Sequence, residues 1–494
     1  MALGPQRFLH KKSIVSFGKF VPKCVISSCE RHGFITGCCY ASRFIRSTGE
    51  PKSAFARLSP QEVDSVLHAN EFSYEFPEHK SVKSYDSNQL ASNNPIEDTR
   101  SEASCIPTPG ILMGIFDGHG GGACAQVVAK RIFKYISACL MSPDQLKEYL
   151  QLAETNEPMK LLKTYNDKVQ FVEDVRDIYR NSFKLFVNDL IKDTNRSWTN
   201  VHEALEKAVL RLDDDISREA LTTPSGGVNM KTLSVAMSGC VAIIAHINGP
   251  HLNIAHVGDA CAVLGTQKEN HWTATKLTVE HNIENAEEVE RILGEHPTTE
   301  SDTVLRMDRL LGQLAPLRSI GDFRYKWSKD IMQNVVVKVL GDQYLPPNYH
   351  TPPYLTAKPE VNYHKLTPND KFLVIASDGL WDVISPAEVV NLVGKHMSGK
   401  VTLSPLFLPR RNMKLGEIEE VLQQRKESMK LKPKDKNAAT HLIRNALGGT
   451  EFGIDHGKLS QMLSLPVEVS RVFRDDITVT VIYFDSDYLG HCPP

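Results

Sequence analysis

The sequence contains no uninterrupted apolar run long enough to cross a lipid bilayer. Its longest stretch without Asp, Glu, Lys or Arg covers residues 232–258, and Asn248-Gly249-Pro250 and three histidines interrupt it. Two buried strands, over residues 233–247 and 251–264, explain this stretch better than a transmembrane helix does. No transmembrane segment is therefore predicted.

Cysteine patterns that bind metals or form disulfide frameworks are also missing. None of the 10 cysteines stands in Cys-x-x-Cys spacing, which excludes a zinc ribbon. A cysteine-based phosphatase is excluded as well, because Lys130 stands where such a motif needs an arginine after Cys124. The sequence also lacks the Asp-x-Asp-x-Asp-Gly loop that binds calcium.

Acidic residues are scarce in the first 58 residues, which hold two Glu against ten Lys or Arg. The chain has a net charge of −2 and this segment one of +8, so the remainder carries −10 and is a poor partner for nucleic acid. A basic, serine-containing segment without a continuous apolar core is typical of a mitochondrial transit peptide. We expect residues 1–65 to be that peptide and the mature chain to lie in the mitochondrial matrix, with a disordered basic tail as the alternative.

Four aspartates each stand at the end or the start of an apolar, strand-like run. In chain order they are Asp117, Asp259, Asp378 and Asp475. A strand end supports a short carboxylate rigidly, and oxygen ligands suit Mg²⁺ and Mn²⁺. A single Asp in such a place is usually a turn-former or a helix cap. Four in one chain predict a divalent-cation site.

Five short motifs contain these aspartates or lie between them. They are Asp117-Gly118-His119-Gly120-Gly121, Gly258-Asp259, Arg318-Ser319-Ile320-Gly321-Asp322, Ser377-Asp378-Gly379-Leu380-Trp381-Asp382 and Arg474-Asp475-Asp476-Ile477-Thr478. By their order the sequence resembles the metal-dependent Ser/Thr protein phosphatases of type 2C. The resemblance implies an α+β fold, a four-layer α-β-β-α sandwich of two mainly antiparallel sheets flanked by helices. It also implies one catalytic domain over residues 66–490, with insertions near 141–200, 323–358 and 400–436.

The same resemblance implies a site for two Mg²⁺ or Mn²⁺ ions and a weaker third ion. Asp117 matches the ligand that bridges both ions, and the carbonyl of Gly118 matches a ligand of one of them. Asp378 and Asp475 match the ligands of the other. The residues that match positions beside metal-bound water or the third ion are Glu97, Asp98, Asp259 and Asp382.

Two further positions concern the phosphoserine itself. His119 matches the general acid that protonates the leaving serine oxygen, and the alternative is a histidine that only holds a ligand in place. Asn93 stands where many family members carry an arginine that binds phosphate. An asparagine can donate a hydrogen bond but has no charge, so we expect phosphate binding to depend more on the metals.

Within the family, four stretches are similar to the mitochondrial branch that dephosphorylates pyruvate dehydrogenase; they cover residues 84–90, 94–98, 346–357 and 437–444. This similarity implies phosphorylated pyruvate dehydrogenase as substrate. It implies the dihydrolipoamide acetyltransferase core, with its lipoyl domain, and a regulatory subunit as partners. The alternatives are a family phosphatase with another substrate, such as branched-chain ketoacid dehydrogenase, and an inactive binding protein on the same fold.

Substrate choice is expected to lie in the insertions, because the metal site is common to the family and cannot discriminate between proteins. The proline-marked segment 323–358 and the basic segment 400–436, which includes Arg410, Arg411 and Lys414, are the candidates for docking because their composition predicts exposure.

Overall fold

The fold is that of a computed structural model, which describes residues 57–493 apart from residues 79, 154–158, 167–172, 222–227, 270 and 407–412. The basic segment of residues 1–58 lies almost wholly outside this range, as do Arg410 and Arg411. The transit peptide therefore stays a prediction.

Strands make up the centre of the described region. In chain order they are β1 (Phe72–Glu75), β2 (Val82–Leu90), β3 (Thr99–Cys105), β4 (Ile111–His119), β5 (Leu162–Tyr165), β6 (Gly239–Asn248), β7 (His251–Val257), β8 (Cys261–Lys268), β9 (His271–Lys276), β10 (Leu305–Arg306), β11 (Arg309–Leu310), β12 (Ile320–Gly321), β13 (Glu360–Lys365), β14 (Asp370–Ala376), β15 (Gly449–Thr450), β16 (Gly453–Ile454) and β17 (Ile477–Phe484).

Helices lie outside the strands. In chain order they are α1 (Pro60–His68), α2 (Ala123–Leu140), α3 (Pro143–Leu152), α4 (Glu173–Lys192), α5 (Val201–Leu221), α6 (Met230–Met237), α7 (Ala286–Glu295), α8 (Ser301–Val304), α9 (Lys329–Ile331), α10 (Val337–Leu340), α11 (Asp378–Trp381), α12 (Pro386–Met397), α13 (Leu415–Ser428), α14 (Ala438–Gly448), α15 (His456–Leu463), α16 (Val467–Phe473) and α17 (Ser486–His491). None of the helices in the described region is both long and apolar enough to cross a membrane.

Two large sheets form the middle layers. The first has the order β1-β2-β17-β14-β8-β9, and the second has the order β13-β7-β6-β4-β3-β5, with β12 also paired to β6. Neighbouring strands within both sheets run antiparallel. This arrangement confirms the predicted pair of antiparallel sheets.

The inner strands of each sheet are buried on both faces, because their side chains alternate between two apolar layers. In β4, Met113 and Ile115 face the layer between the sheets, whereas Leu112 and Phe116 face the helices outside. The first sheet shows the same alternation in β14 and β17. A strand with two buried faces reads as a continuous apolar run, which is why these strands are evident in the sequence.

Helices close the sandwich on both sides. Helices α2 and α5 share a core with the second sheet, and α1, α12 and α14 share another with the first. Three apolar layers therefore separate four layers of secondary structure, which confirms the predicted α-β-β-α sandwich.

The predicted strand pair over residues 233–264 is only partly correct. Residues 230–237 form α6, which Asn229 caps at its N-terminus, so the first strand starts at Gly239. The β6–β7 hairpin is as expected, but the second strand ends at Val257. The backbone turns at Gly258, with φ of +99°, and β8 then joins the other sheet. Apolar composition does not reveal such a change of sheet.

The two proposed docking segments differ from each other in the structure. Short helical turns form within residues 323–344, and the segment buries Phe323, Trp327 and Tyr354. The prediction of exposure is only partly correct: many residues of the segment are exposed, but its apolar residues pack into the core without a helical or strand period. Helix α13 of the other segment buries none of its side chains.

Helix α1 begins before the predicted domain boundary at residue 65. Ser59 and Glu62 form its capping box, and Val63 and Leu67 are buried against α14 and α15. We expect a chain lacking residues 1–58 to keep most of the thermal stability of the full chain, because this deletion spares the cap, Val63 and Leu67 and removes only the partly buried Leu58, whose carbonyl accepts from Ser460. A chain lacking residues 1–65 is expected to melt several degrees lower, because it loses Val63. Equal melting temperatures for both truncations in differential scanning fluorimetry would contradict this view of the boundary.

Candidate metal centre

One edge of the sandwich brings together acidic residues from both sheets. Asp117 lies near the end of β4, Asp378 follows β14 after one residue, and Asp475 stands two residues before β17. Asp98, directly before β3, accepts a hydrogen bond at Oδ2 from Ser377 Oγ at 2.8 Å. The predicted ligands thus meet at one place although they are far apart in the sequence.

The carboxyl groups at this edge raise one another's pKa. Burial raises the pKa of Asp117 well above its ordinary value of 3.8, and the negative charges of Asp98 and Asp378 raise it further. Burial likewise raises the pKa of Asp98 to about 7, and the charge of Asp476 contributes. The pKa of Asp378 also lies well above 3.8, first through burial and then through the charge of Asp259. A cluster of such carboxylates is stabilised when it binds protons or a cation, because either one removes the repulsion between the charges.

The donor set fits a hard divalent cation. Oδ1 of Asp378 is buried and has no hydrogen-bond partner among the described residues, so it has an unused lone pair. Gly118 lies so close to the backbone oxygen of Glu97 that an added Cβ would stand 2.5 Å from it. Several carboxylate oxygens with no histidine or cysteine among them are the ligands that Mg²⁺ and Mn²⁺ prefer.

The cleft beside this group contains the two residues predicted for a third ion. Asp259 and Asp382 line it together with Asp378 and Glu280, and its volume is about 380 Å³. Burial raises the pKa of Asp259 to about 6. Burial, followed by the charge of Asp475, raises the pKa of Asp382. The structure therefore places both residues at the same centre as the other acids.

Asp476, which was not predicted as a site residue, fixes the loop of residues 92–97. Its Oδ1 accepts a hydrogen bond from the backbone of Asn93 at 2.8 Å, and its Oδ2 accepts one from the backbone of Glu97 at 2.9 Å. The side-chain amide of Asn93 donates to the same Oδ2 at 3.0 Å. Glu97 in turn accepts from the backbone of Gly121 at 2.7 Å and pairs with Arg471 at 3.2 Å. Asn93 thus holds the loop, and its contact with phosphate stays a prediction.

His119 is paired with an aspartate 203 positions later in the chain. Its Nε2 lies 2.6 Å from Oδ2 of Asp322, which also accepts from Ser319 Oγ at 2.6 Å. Burial alone would lower the pKa of the His119 ring, but the charge of Asp322 and the hydrogen bond outweigh it and raise the pKa above 6.5. His119 Nδ1 makes no hydrogen bond with any described residue.

Gly239 leaves the space that this pair needs. A Cβ at this position would stand 2.0 Å from His119 Nε2 and 2.2 Å from Asp322 Oδ2. Asp322 and Asp476 both belong to motifs that the sequence shows, but only the pairing across the fold reveals what they do.

Comparison with known proteins fits this geometry. A family model described as protein phosphatase 2C matches residues 173–415. Human mitochondrial pyruvate dehydrogenase (acetyl-transferring) phosphatase 1 is 39% identical over 99% of this chain and 95% of its own length. Human mitochondrial pyruvate dehydrogenase (acetyl-transferring) phosphatase 2 is 41% identical over 88% of this chain and 85% of its own length. The phosphatase 1 of Saccharomyces cerevisiae is 29% identical over 86% of this chain and 73% of its own length.

The chain belongs to the protein phosphatase 2C family. It is a metal-dependent protein serine/threonine phosphatase, as the order of its motifs predicted. Members of this family depend on Mg²⁺ or Mn²⁺, and the number of ions in this phosphatase stays a prediction.

We expect the metal-free phosphatase to lose stability as the pH rises. Asp98 has a pKa of about 7 in the fold against an ordinary value of 3.8, so the folded protein holds this proton more tightly than the unfolded chain does. The contribution of Asp98 to the free energy of unfolding is then highest below about pH 4, and it declines until about pH 7. Melting temperatures in a chelating buffer, from about pH 5 to about pH 8, measure the decline, and millimolar Mg²⁺ is expected to reverse it.

Two variants separate this effect from general acid and base effects. Asp98→Asn is expected to make the decline shallower, because it removes one of the titrating groups while it can still accept from Ser377. The exposed Asp302→Asn is expected to leave the decline unchanged. A slope that is equally steep in all three proteins would contradict the assignment to Asp98.

Proposed function

We propose that this phosphatase removes phosphate from phosphoserine of pyruvate dehydrogenase and so reactivates the pyruvate dehydrogenase complex. The substrate is supported by relatives with that activity in their names, one of which aligns with 99% of this chain. The chemistry is supported by the carboxylates that meet at this edge, of which Asp98, Asp117 and Asp378 have raised pKa values. The protein is mitochondrial, as these relatives are by name, and the proposed substrate supports a place in the matrix.

The metal ligands follow from the acids at the edge of the sandwich. Asp117 would hold both ions, the carbonyl of Gly118 would bind one of them, and Asp378 and Asp475 would bind the other. Bound Mg²⁺ or Mn²⁺ supplies charge neutralisation for the phosphate and a water of lowered pKa. Glu97 and Asp98 would hold metal-bound water, and Asp259 and Asp382 would take the third ion.

His119 is the candidate general acid. The charge of Asp322 and its hydrogen bond raise the pKa of the ring above its ordinary value, which favours the protonated form, and Nε2 stays committed to Asp322. The proton on Nδ1 is then available for the serine oxygen as its bond to phosphorus breaks. Asp322 acts through His119 and is a positioning residue.

Helix α13 is the better of the two docking candidates. It buries none of its side chains and exposes Leu415 and Leu422, whereas residues 323–358 pack Phe323, Trp327 and Tyr354 into the core. We propose that the segment 400–436 contacts the acetyltransferase core through its lipoyl domain. A regulatory subunit is proposed on the similarity to the mitochondrial branch alone.

The metal-site assignment is tested by Asp378→Asn. We expect this variant to lose about 100-fold or more of its phosphate release from phosphorylated pyruvate dehydrogenase complex, because it removes a ligand charge worth several kcal/mol to the transition state. Release of inorganic phosphate at millimolar Mg²⁺ is the measurement. The matched control is Asp302→Asn, an exposed aspartate on α8 that is expected to keep full activity.

The substrate is tested in the same assay. Phosphorylated branched-chain ketoacid dehydrogenase complex, supplied at the same concentration, is expected to react much more slowly. Equal rates on both complexes would refute the proposed substrate and leave the phosphatase activity intact. Full activity of Asp378→Asn would refute the site.

The role of His119 is tested by the leaving group. His119→Asn is expected to lower kcat on a phosphoserine peptide by about 100-fold or more, because the serine oxygen leaves without a proton. On p-nitrophenyl phosphate, whose leaving group is stable as an anion, the loss is expected to be small. Equal losses on both substrates would mean that His119 only holds the site together.

A further inference from the structure

His281 is buried beside the metal centre and has no part in the mechanism above. It lies between β9 and α7, with a fully buried side chain, and its ring stacks on that of His256 at 4.5 Å between centroids. With Glu360 the two rings bring three potential metal-ligand atoms within 4.8 Å of one another. The hydrogen bonds decide whether these atoms can bind a metal.

The ring of His281 has its proton on the wrong nitrogen for metal binding. Its Nδ1 lies 3.1 Å from the backbone nitrogen of Gly258, which can only donate. Nδ1 is therefore the acceptor, and Nε2 of the neutral ring carries the proton. A histidine ligand donates from its second ring nitrogen, which this geometry forbids. The three residues His256, His281 and Glu360 therefore do not form a metal site, because His281 has no free lone pair to offer.

The same hydrogen bonds hold Gly258 from two sides. The backbone nitrogen of His281 donates to the carbonyl of Gly258 at 2.9 Å, and the Gly258 nitrogen donates back to the ring. Gly258 has φ of +99° and directly precedes Asp259. The ring thus fixes the backbone that aims Asp259 into the cleft.

The ring stays neutral across the physiological range, as this role requires. Burial lowers the pKa of His281 to about 3, and the neighbouring His256 contributes. His256 in turn is oriented by its Nε2, which lies 2.8 Å from the carbonyl oxygen of Val279. A protonated ring would place its own N–H against the Gly258 N–H and so break the hydrogen bond between Gly258 and His281 Nδ1.

We propose that His281 is a positioning residue for Asp259, and that it sets the cation affinity of the cleft without touching the cation. The inference rests on the proposed role of Asp259. The main chain of His281 also accepts from the nitrogen of Leu317, at the start of the segment that carries Asp322. That bond does not depend on the side chain, so substitution of the ring should change the Asp259 side of the centre and spare His119.

Asparagine and glutamine at position 281 separate a positioning role from a packing role. His281→Asn keeps an acceptor oxygen near the place of Nδ1, whereas His281→Gln moves the acceptor to the place of Nε2 and leaves the Gly258 N–H unpaired. We expect His281→Gln to raise the Mg²⁺ concentration for half-maximal activity about 10-fold. His281→Asn is expected to stay within about twofold of the natural protein. The ratio of kcat on phosphoserine peptide to kcat on p-nitrophenyl phosphate is expected to stay constant, because it reports on His119.

Two controls make each outcome decisive. Val389→Ala, in the apolar core on the other sheet, lowers stability without approaching Gly258, and it is expected to leave the Mg²⁺ requirement unchanged. Asp259→Asn is expected to raise the requirement at least as much as His281→Gln does. Equal effects of His281→Asn and His281→Gln would overturn the proposal, as would a normal requirement in His281→Gln beside a raised one in Asp259→Asn. A normal requirement in Asp259→Asn would overturn both this proposal and the third-ion assignment, while the activity assay on Asp378→Asn still tests the main site.

A direct binding measurement checks the tautomer. Titration of the natural protein with Zn²⁺ is expected to show no site that depends on both His281 and Glu360. A stoichiometric site that both His281→Gln and Glu360→Gln abolish would overturn the proposal, because it would require a lone pair on Nε2 of His281.

Discussion

Repulsion between buried carboxylates is the constraint on which the rest of the structure depends. The fold is destabilised when Asp98, Asp117 and Asp378 are charged in the absence of a cation, because burial and the neighbouring carboxylates both disfavour these charges. A flexible support would let them move apart and escape this repulsion. The two sheets prevent it, since Asp117 is carried by one sheet and Asp378 by the end of the other. By holding the two sheets together, the apolar layer between them therefore also holds these acids close enough to share a cation.

The same constraint explains why Asp476 and Asp322, which lie beside these acids, accept hydrogen bonds from several neighbours. Asp476 uses both carboxylate oxygens to hold the loop that carries Glu97, and Asp322 is committed to His119 and Ser319. A carboxylate that is satisfied by hydrogen-bond donors stays charged and in place. Oδ1 of Asp378, which has no such partner among the described residues, is left available to metal.

Local features of the sequence were sufficient for the strand ends. Asp117 and Asp378 were evident because each of them stands at the end of an apolar, strand-like run. Partners that meet only through the tertiary fold were not evident. No local pattern relates His119 to Asp322, and none shows that β8 leaves the sheet of β7. The burial of Phe323, Trp327 and Tyr354 was missed for the same reason, because these aromatic side chains pack without a repeating period.

The proposed metal ligands and the proposed docking helix differ in how deeply they are built into the fold. The acids proposed to bind metal lie at the ends of strands whose side chains are packed on both faces, so a substitution there is expected to alter their geometry directly. Helix α13 buries no side chain of its own, so substitutions on its surface leave the packing of the sheets intact. A docking surface of this kind can vary while the acids keep their positions. A phosphatase with a shared metal centre can therefore acquire its own substrate without altering its catalytic residues.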